Sequence, residues 1–119
     1  MWERLNLSAQ SLMGQGKSAE AESYYKQSLM EAEKEFGAWH NNVATVLNNL
    51  GNCYRVQGRL TEAEEVYKRA LDVRRKALGP LHKDELLILE NYAKVLRSLN
   101  KEAEAKKMEQ TAMGIMRRP

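Results

Sequence analysis

Apolar residues recur at three- and four-residue steps through most of this 119-residue chain. From 43 to 57, Val43, Val46, Leu47, Leu50, Tyr54 and Val56 fall at that spacing, which predicts an amphipathic helix. From 60 to 78, Leu60, Ala63, Val66, Tyr67, Ala70, Leu71 and Leu78 do the same. The second of these segments begins acidic (Glu62, Glu64, Glu65) and ends basic (Arg74, Arg75, Lys76), which suits a helix dipole. Gly79 and Pro80 then stop it. The same reading predicts helices near 2–14 and 17–36, and near 85–98 and 101–117. No strand alternation and no low-complexity linker interrupts them, and the gaps are short, so neighbouring helices are expected to pack antiparallel.

The pattern repeats every 42 residues. Gly16, Gly58 and Asn100 are 42 apart, and so are Glu20, Glu62 and Glu104, and Ala21, Ala63 and Ala105. A fixed period of this length predicts stacked hairpins rather than one globular core, and three units are about the minimum that buries a continuous interior. The units are 1–42, 43–84 and 85–119, together one domain. Gly16, Gly58 and Asn100 mark the sharp turn inside each hairpin. That turn calls for positive φ, which Gly adopts freely and Asn tolerates best among other residues. Small residues at Ala21, Ala63 and Ala105, and at Ser28, Ala70 and Ala112, let the paired helices approach closely.

The residues Leu47-x2-Leu50-Gly51-x2-Tyr54, Gly58, Ala63-x3-Tyr67 and Ala70 resemble the tetratricopeptide repeat. The first unit matches through Ala9, Leu12, Gly16, Ala21, Tyr25 and Ser28, and the third through Leu89, Tyr92, Ala93, Leu96, Ala105 and Ala112. The usual period of that repeat is about 34. The longer form here is similar to the repeats of kinesin light chains. The resemblance implies an all-α, right-handed superhelix of three antiparallel helix pairs. The last unit departs from the pattern: Glu109 replaces the aromatic of Tyr25 and Tyr67, and Glu85 stands where Val43 does. It reads as a more polar terminal repeat. Met108, Met113 and Met116 are expected to leave an apolar strip partly exposed there.

Charge adds little. The net value is +3, distributed as −2, +3 and +2 over the three units, far below a nucleic-acid-binding footprint. No apolar run is long enough for a membrane-spanning helix, so no membrane insertion is expected. The lone Cys53 excludes an internal disulfide and fits a reducing compartment as a small packing residue. The expected location is intracellular and cytoplasmic, or an organelle lumen if the chain is a trimmed fragment.

In the family that the chain resembles, the first helix of each pair lines a concave wall. Carried onto this sequence, the resemblance implies ligand-facing positions at Glu3, Asn6, Gln10 and Met13 in the first unit. The second unit offers Thr45, Asn48, Asn52 and Arg55, and the third Leu87, Glu90, Lys94 and Arg97. Asn49 and Asn91 lie beside this face. An amide row of Asn6, Gln10, Asn48 and Asn52 suits the backbone of an extended peptide, since amides donate and accept. Arg55, Lys94 and Arg97 suit an acidic side chain or a C-terminal carboxylate. The expected function is therefore an adaptor that binds a peptide or protein partner in the groove. The alternative is a scaffold that forms homo-oligomers through the ends of the stack. No catalytic arrangement, metal site or cofactor is implied. His40 and His82 lack a second ligand at metal spacing and read as residues of loop packing or helix starts, and Trp2 and Trp39 as packing residues. The acids Glu20, Glu62 and Glu104 have an ordinary dipole explanation.

Overall fold

The computed structural model describes residues 1–118. The helices are α1 (Trp2–Gly14), α2 (Ser18–Phe36), α3 (Asn41–Val56), α4 (Leu60–Leu78), α5 (Leu86–Ser98) and α6 (Glu102–Met116). A single 3-10 turn, Lys83–Glu85, leads into α5. Among the described residues there is no strand, and no helix is long and apolar enough to cross a membrane.

Each hairpin closes in the same way. The N–H of Gly16 donates to the carbonyl of Met13 at 3.0 Å, and that of Lys17 to Leu12 at 2.8 Å. Gly58 and Arg59 repeat the pair on Arg55 and Tyr54, and Asn100 and Lys101 on Arg97 and Leu96. This is a Schellman closure, which satisfies the last carbonyls of one helix and requires a left-handed residue. Gly16, Gly58 and Asn100 have φ of 78°, 77° and 62°, as the sequence predicts.

The loops between hairpins use histidine. Nδ1 of His40 accepts the N–H of Asn42 at 3.0 Å, and Nδ1 of His82 accepts that of Asp84 at 3.1 Å. Each imidazole thus serves as an N-cap. That is why α3 begins at Asn41, two residues earlier than the apolar periodicity indicates. Two expectations fail nearby. Trp39 is 52% exposed, with the Lys76 ammonium 4.4 Å from its ring centroid, and is not a packing residue. Val56, in the last turn of α3, is exposed despite its apolar register.

Small residues admit the aromatic ones. Ala21, Ala63, Ser28 and Ala70 are fully buried, as are the large ring of Tyr67 and the side chain of Leu47. Trp2 packs edge-on to Phe36, and its carbonyl accepts the Ser28 hydroxyl at 2.7 Å. Cys53 is buried and donates to the Ser18 carbonyl at 3.1 Å, a packing role for the only thiol.

Stacking of hairpins follows one rule applied twice. Glu22 pairs with Arg59 at 2.6 Å, and one period on Glu64 pairs with Lys101 at 2.9 Å. Cα atoms of α1 approach those of α3 within 8 Å, and those of α3 approach α5, whereas α2 and α4 do not meet in this way, nor α4 and α6. The first helices are therefore the inner layer of a curved stack. Glu85, which the sequence reads as a polar feature of a terminal repeat, is instead fully buried. Its Oε1 accepts from Nε of Arg75 at 3.0 Å, and its Oε2 has no partner.

Candidate functional site

The inner layer carries the residues that the sequence nominates, but two of its amides turn between repeats. Asn6 and Asn48 are only 7% and 5% exposed. Oδ1 of Asn6 accepts from the Asn49 amide at 3.1 Å, and Oδ1 of Asn48 accepts from the Asn91 amide at 3.5 Å. The expected row of four amides facing a ligand is corrected at these positions. A buried amide needs a partner, and the neighbouring repeat supplies it. Asn49 and Asn91, which the sequence places beside the face, complete these bonds.

The remaining positions separate into committed and available groups. Thr45 is half-buried and its Oγ1 accepts from Arg74 at 2.8 Å. The same guanidinium donates to Asn41 and to the Asp84 carbonyl, and so ties both helices of the second hairpin to the following loop. Arg97 is held by two carboxylates, Glu102 and Glu109, each at 2.9 Å, and their hydrogen bonds raise its pKa. Met13 packs against the core. Glu3, Gln10 and Leu87 are exposed, and Glu90 and Lys94 form an exposed pair at 3.6 Å. Such a pair contributes little, because water screens it.

Asn52, Arg55 and Tyr67 come together at the centre of the wall. Tyr67 is fully buried and its hydroxyl donates to Oδ1 of Asn52. Burial raises the phenol pKa, and the positive charge of the adjacent Arg55 opposes the rise. Arg55 is half-buried, and its Nε is buried with no acceptor. Among the described residues Arg55 has no carboxylate partner, unlike Arg59, Arg69, Arg75 and Arg97. The Asn52 amide N–H groups also remain uncommitted among the described residues. Donors of both kinds thus converge without an acceptor, an arrangement that suits an anionic or carbonyl oxygen.

A second concavity lies at the end of the stack. It is a cleft of about 570 Å³ between α5 and α6, with an apolar floor of Leu86, Leu89, Ala93, Ala112 and Met113 and a charged rim. Met113 and Met116 are 45% and 63% exposed, as the sequence predicts, whereas Met108, the third member of the expected strip, is half-buried against the core. Among the described residues no cluster of His, Cys, Asp and Glu has the geometry to hold a metal ion.

Comparison with known proteins agrees with this architecture. The tetratricopeptide repeat model matches residues 4–55 and 42–118. The crystal structure of BtubC (BKLC) from P. vanneervenii superposes with a TM-score of 0.91 at 24% identity, over 97% of this chain and 46% of that one. A protein of Podosopora anserina, described as a kinesin light chain with nearly identical TPR-like repeats, superposes with a TM-score of 0.84 at 18% identity. That match covers 95% of this chain and 54% of the other. The chain therefore spans about half the length of these structures, and at such identities the likeness is one of fold. No curated protein sequence matches. The fold is the right-handed superhelix of helical hairpins. With the repeat model matched from residue 4 to residue 118, the chain belongs to the tetratricopeptide repeat family, whose members are in general protein–protein interaction modules.

Proposed function

We propose that this chain is an adaptor whose inner wall holds an extended peptide segment of a partner protein. The observation that carries the reading is Arg55. A half-buried guanidinium with an unpartnered Nε, beside uncommitted amide donors of Asn52, is costly unless an acceptor arrives. A carboxylate on the peptide, from an acidic side chain or a C-terminus, neutralises that guanidinium by charge-assisted hydrogen bonds to its accessible Nη groups and to the Asn52 amide. Gln10 and Lys94, exposed one repeat to either side, extend the contact along the backbone. Asn6 and Asn48 act indirectly, by holding α1, α3 and α5 in register. Arg97, neutralised by Glu102 and Glu109, contributes shape rather than charge.

The test is selection from a random peptide library displayed with free C-termini, followed by fluorescence anisotropy of the enriched sequences. Acidic peptides should be enriched, and Arg55→Ala should weaken them by about tenfold or more, the effect of one charged hydrogen bond. Helical content by circular dichroism should not change. Normal binding by Arg55→Ala and Asn52→Ala, with loss of binding on changing the outer residue Lys68, would refute the inner wall as the site.

A further inference from the structure

The cleft between α5 and α6 is the third copy of a helix seat. Leu86, Leu89, Ala93 and Met113 stand 42 residues after Ala44, Leu47, Gly51 and Leu71. Ala44 and Leu71 are buried where α5 packs, whereas their counterparts Leu86 and Met113 are half-buried and 45% exposed; Leu47 and Gly51 are buried in the hairpin itself, as Leu89 and Ala93 are. Tyr92 stacks on Tyr67 with centroids 6.4 Å apart, and Asn91 donates to Asn48. The first hairpin seats α3 in the same register, with Asn49 on Asn6. In the third hairpin the corresponding surface is open at Leu86 and Met113, above the buried Leu89 and Ala93.

The two guests define what fits. Val46-x2-Asn49-Leu50-x2-Cys53 and Ile88-x2-Asn91-Tyr92-x2-Val95 share one pattern, an amide donor flanked by apolar residues at −3, +1 and +4. The apolar members are at most 8% exposed. In both filled seats the donor meets an asparagine oxygen. In the open seat the acceptor position is Glu90, an anion. A helix lying there would bury Glu90 as α5 buries Asn48, and a buried carboxylate requires a charged donor. Lys94, on the exposed rim at 3.6 Å, leaves most of that requirement unmet.

We infer that the α5–α6 cleft docks an amphipathic helix of a partner protein that carries Lys or Arg in the register of Asn91, between apolar residues at −3, +1 and +4. A second copy of this chain does not supply it. In that register its own α1 presents Arg4, Leu7, Ser8 and Ser11, polar where the guests are apolar and apolar where they are polar. The site lies at the end of the stack and does not depend on the inner-wall reading.

The probe is an end-blocked, fluorescein-labelled peptide of residues 84–99, made unaltered and with Asn91→Lys, titrated with the whole chain at physiological salt. The Asn91→Lys peptide should bind at least tenfold more tightly than the unaltered one. Met113→Glu, at an exposed position that does not endanger folding, should abolish binding. Glu90→Gln should erase the preference for lysine, and Arg55→Ala should change neither affinity. Failure of both peptides to bind, equal affinities, or persistence of binding in Met113→Glu would overturn the proposal. So would loss of binding in Arg55→Ala, which would place the peptide on the inner wall. Self-association in sedimentation velocity that Met113→Glu removes would assign the cleft to a second copy, and would overturn it as well.

Discussion

Replacing Gly51 with alanine sets helix propensity against packing. Gly51 lies within α3, where alanine is favoured over glycine by about 1 kcal/mol. A Cβ at this position would stand 2.6 Å from Cε1 of Tyr67 and 2.8 Å from Cδ1 and Cζ. Ordinary contact begins at about 3.4 Å, so the ring must withdraw by roughly 0.8 Å. Tyr67 has little room to do so, since it is fully buried, hydrogen-bonded to Asn52 and stacked on Tyr92. Withdrawal forfeits about 1 kcal/mol of hydrogen bond and about 0.5–1 kcal/mol of aromatic contact. Overpacking strain adds about 1–3 kcal/mol. Against the propensity gain, the net expectation is a loss of about 2 kcal/mol. The first hairpin provides a comparison: Ala9 occupies the same register opposite Tyr25. Tyr25 has neither a hydroxyl partner nor a stacked ring among the described residues, so it can sit further from its neighbour. The assay is urea unfolding followed by circular dichroism at 222 nm. The thermal midpoint should fall by about 8 °C, and the penalty should shrink or reverse in a Tyr67→Leu background. Equal or greater stability of Gly51→Ala in the parent chain would refute the argument.

Three other perturbations test separate parts of the structure. Gly58→Val should cost more than about 1 kcal/mol in chemical denaturation, because a β-branched residue resists a φ of 77°, whereas Gly58→Asn should be mild, as Asn100 shows. Arg75→Met should destabilise by about 2 kcal/mol by leaving the buried Glu85 carboxylate unpaired, discounted because Arg75 is 36% exposed; Arg75→Met with Glu85→Leu should recover most of the loss. Burial alone would raise the Glu22 pKa, but the bonds from Lys26 and Gln57 and the charges of Lys26 and Arg59 outweigh it, so the pKa lies below 4.5. A carboxyl depressed in the folded state stabilises above its unfolded pKa and loses that contribution as pH falls through the folded value. The thermal midpoint should therefore drop on acidification below about pH 4.5, and Glu22→Gln should flatten that part of the profile.

Legibility in the sequence followed the range of each interaction. The hairpin turns were readable because positive φ restricts residue type locally, and Gly16, Gly58 and Asn100 obey that restriction. Helix spans were readable from periodicity, except where histidine, not a usual N-cap, started α3 early. The inner wall was readable only as a face. The resemblance places Asn6 and Asn48 on it, but a single repeat does not reveal that the amide 43 residues later reaches back to bond them. The signal was present: Asn49 and Asn91 recur at one period, with no local reason for asparagine in mid-helix. Glu85 escaped for a similar reason, since its partner Arg75 belongs to the preceding hairpin.

The amide bonds between successive inner helices have a consequence for how such a chain can change length. Excising residues 43–84 would bring Asn91 opposite Asn6, and Lys101 opposite Glu22, but would set the buried Glu85 opposite Glu33 in place of Arg75. Duplicating the same 42 residues would keep Arg75 before Glu85 and rebuild the amide and ion-pair contacts of each junction, whereas a deletion of 41 or 43 would set a polar side chain against an apolar floor. Gene-level growth is thereby quantised in whole hairpins, whereas loss of the middle one would also have to replace the partner of Glu85.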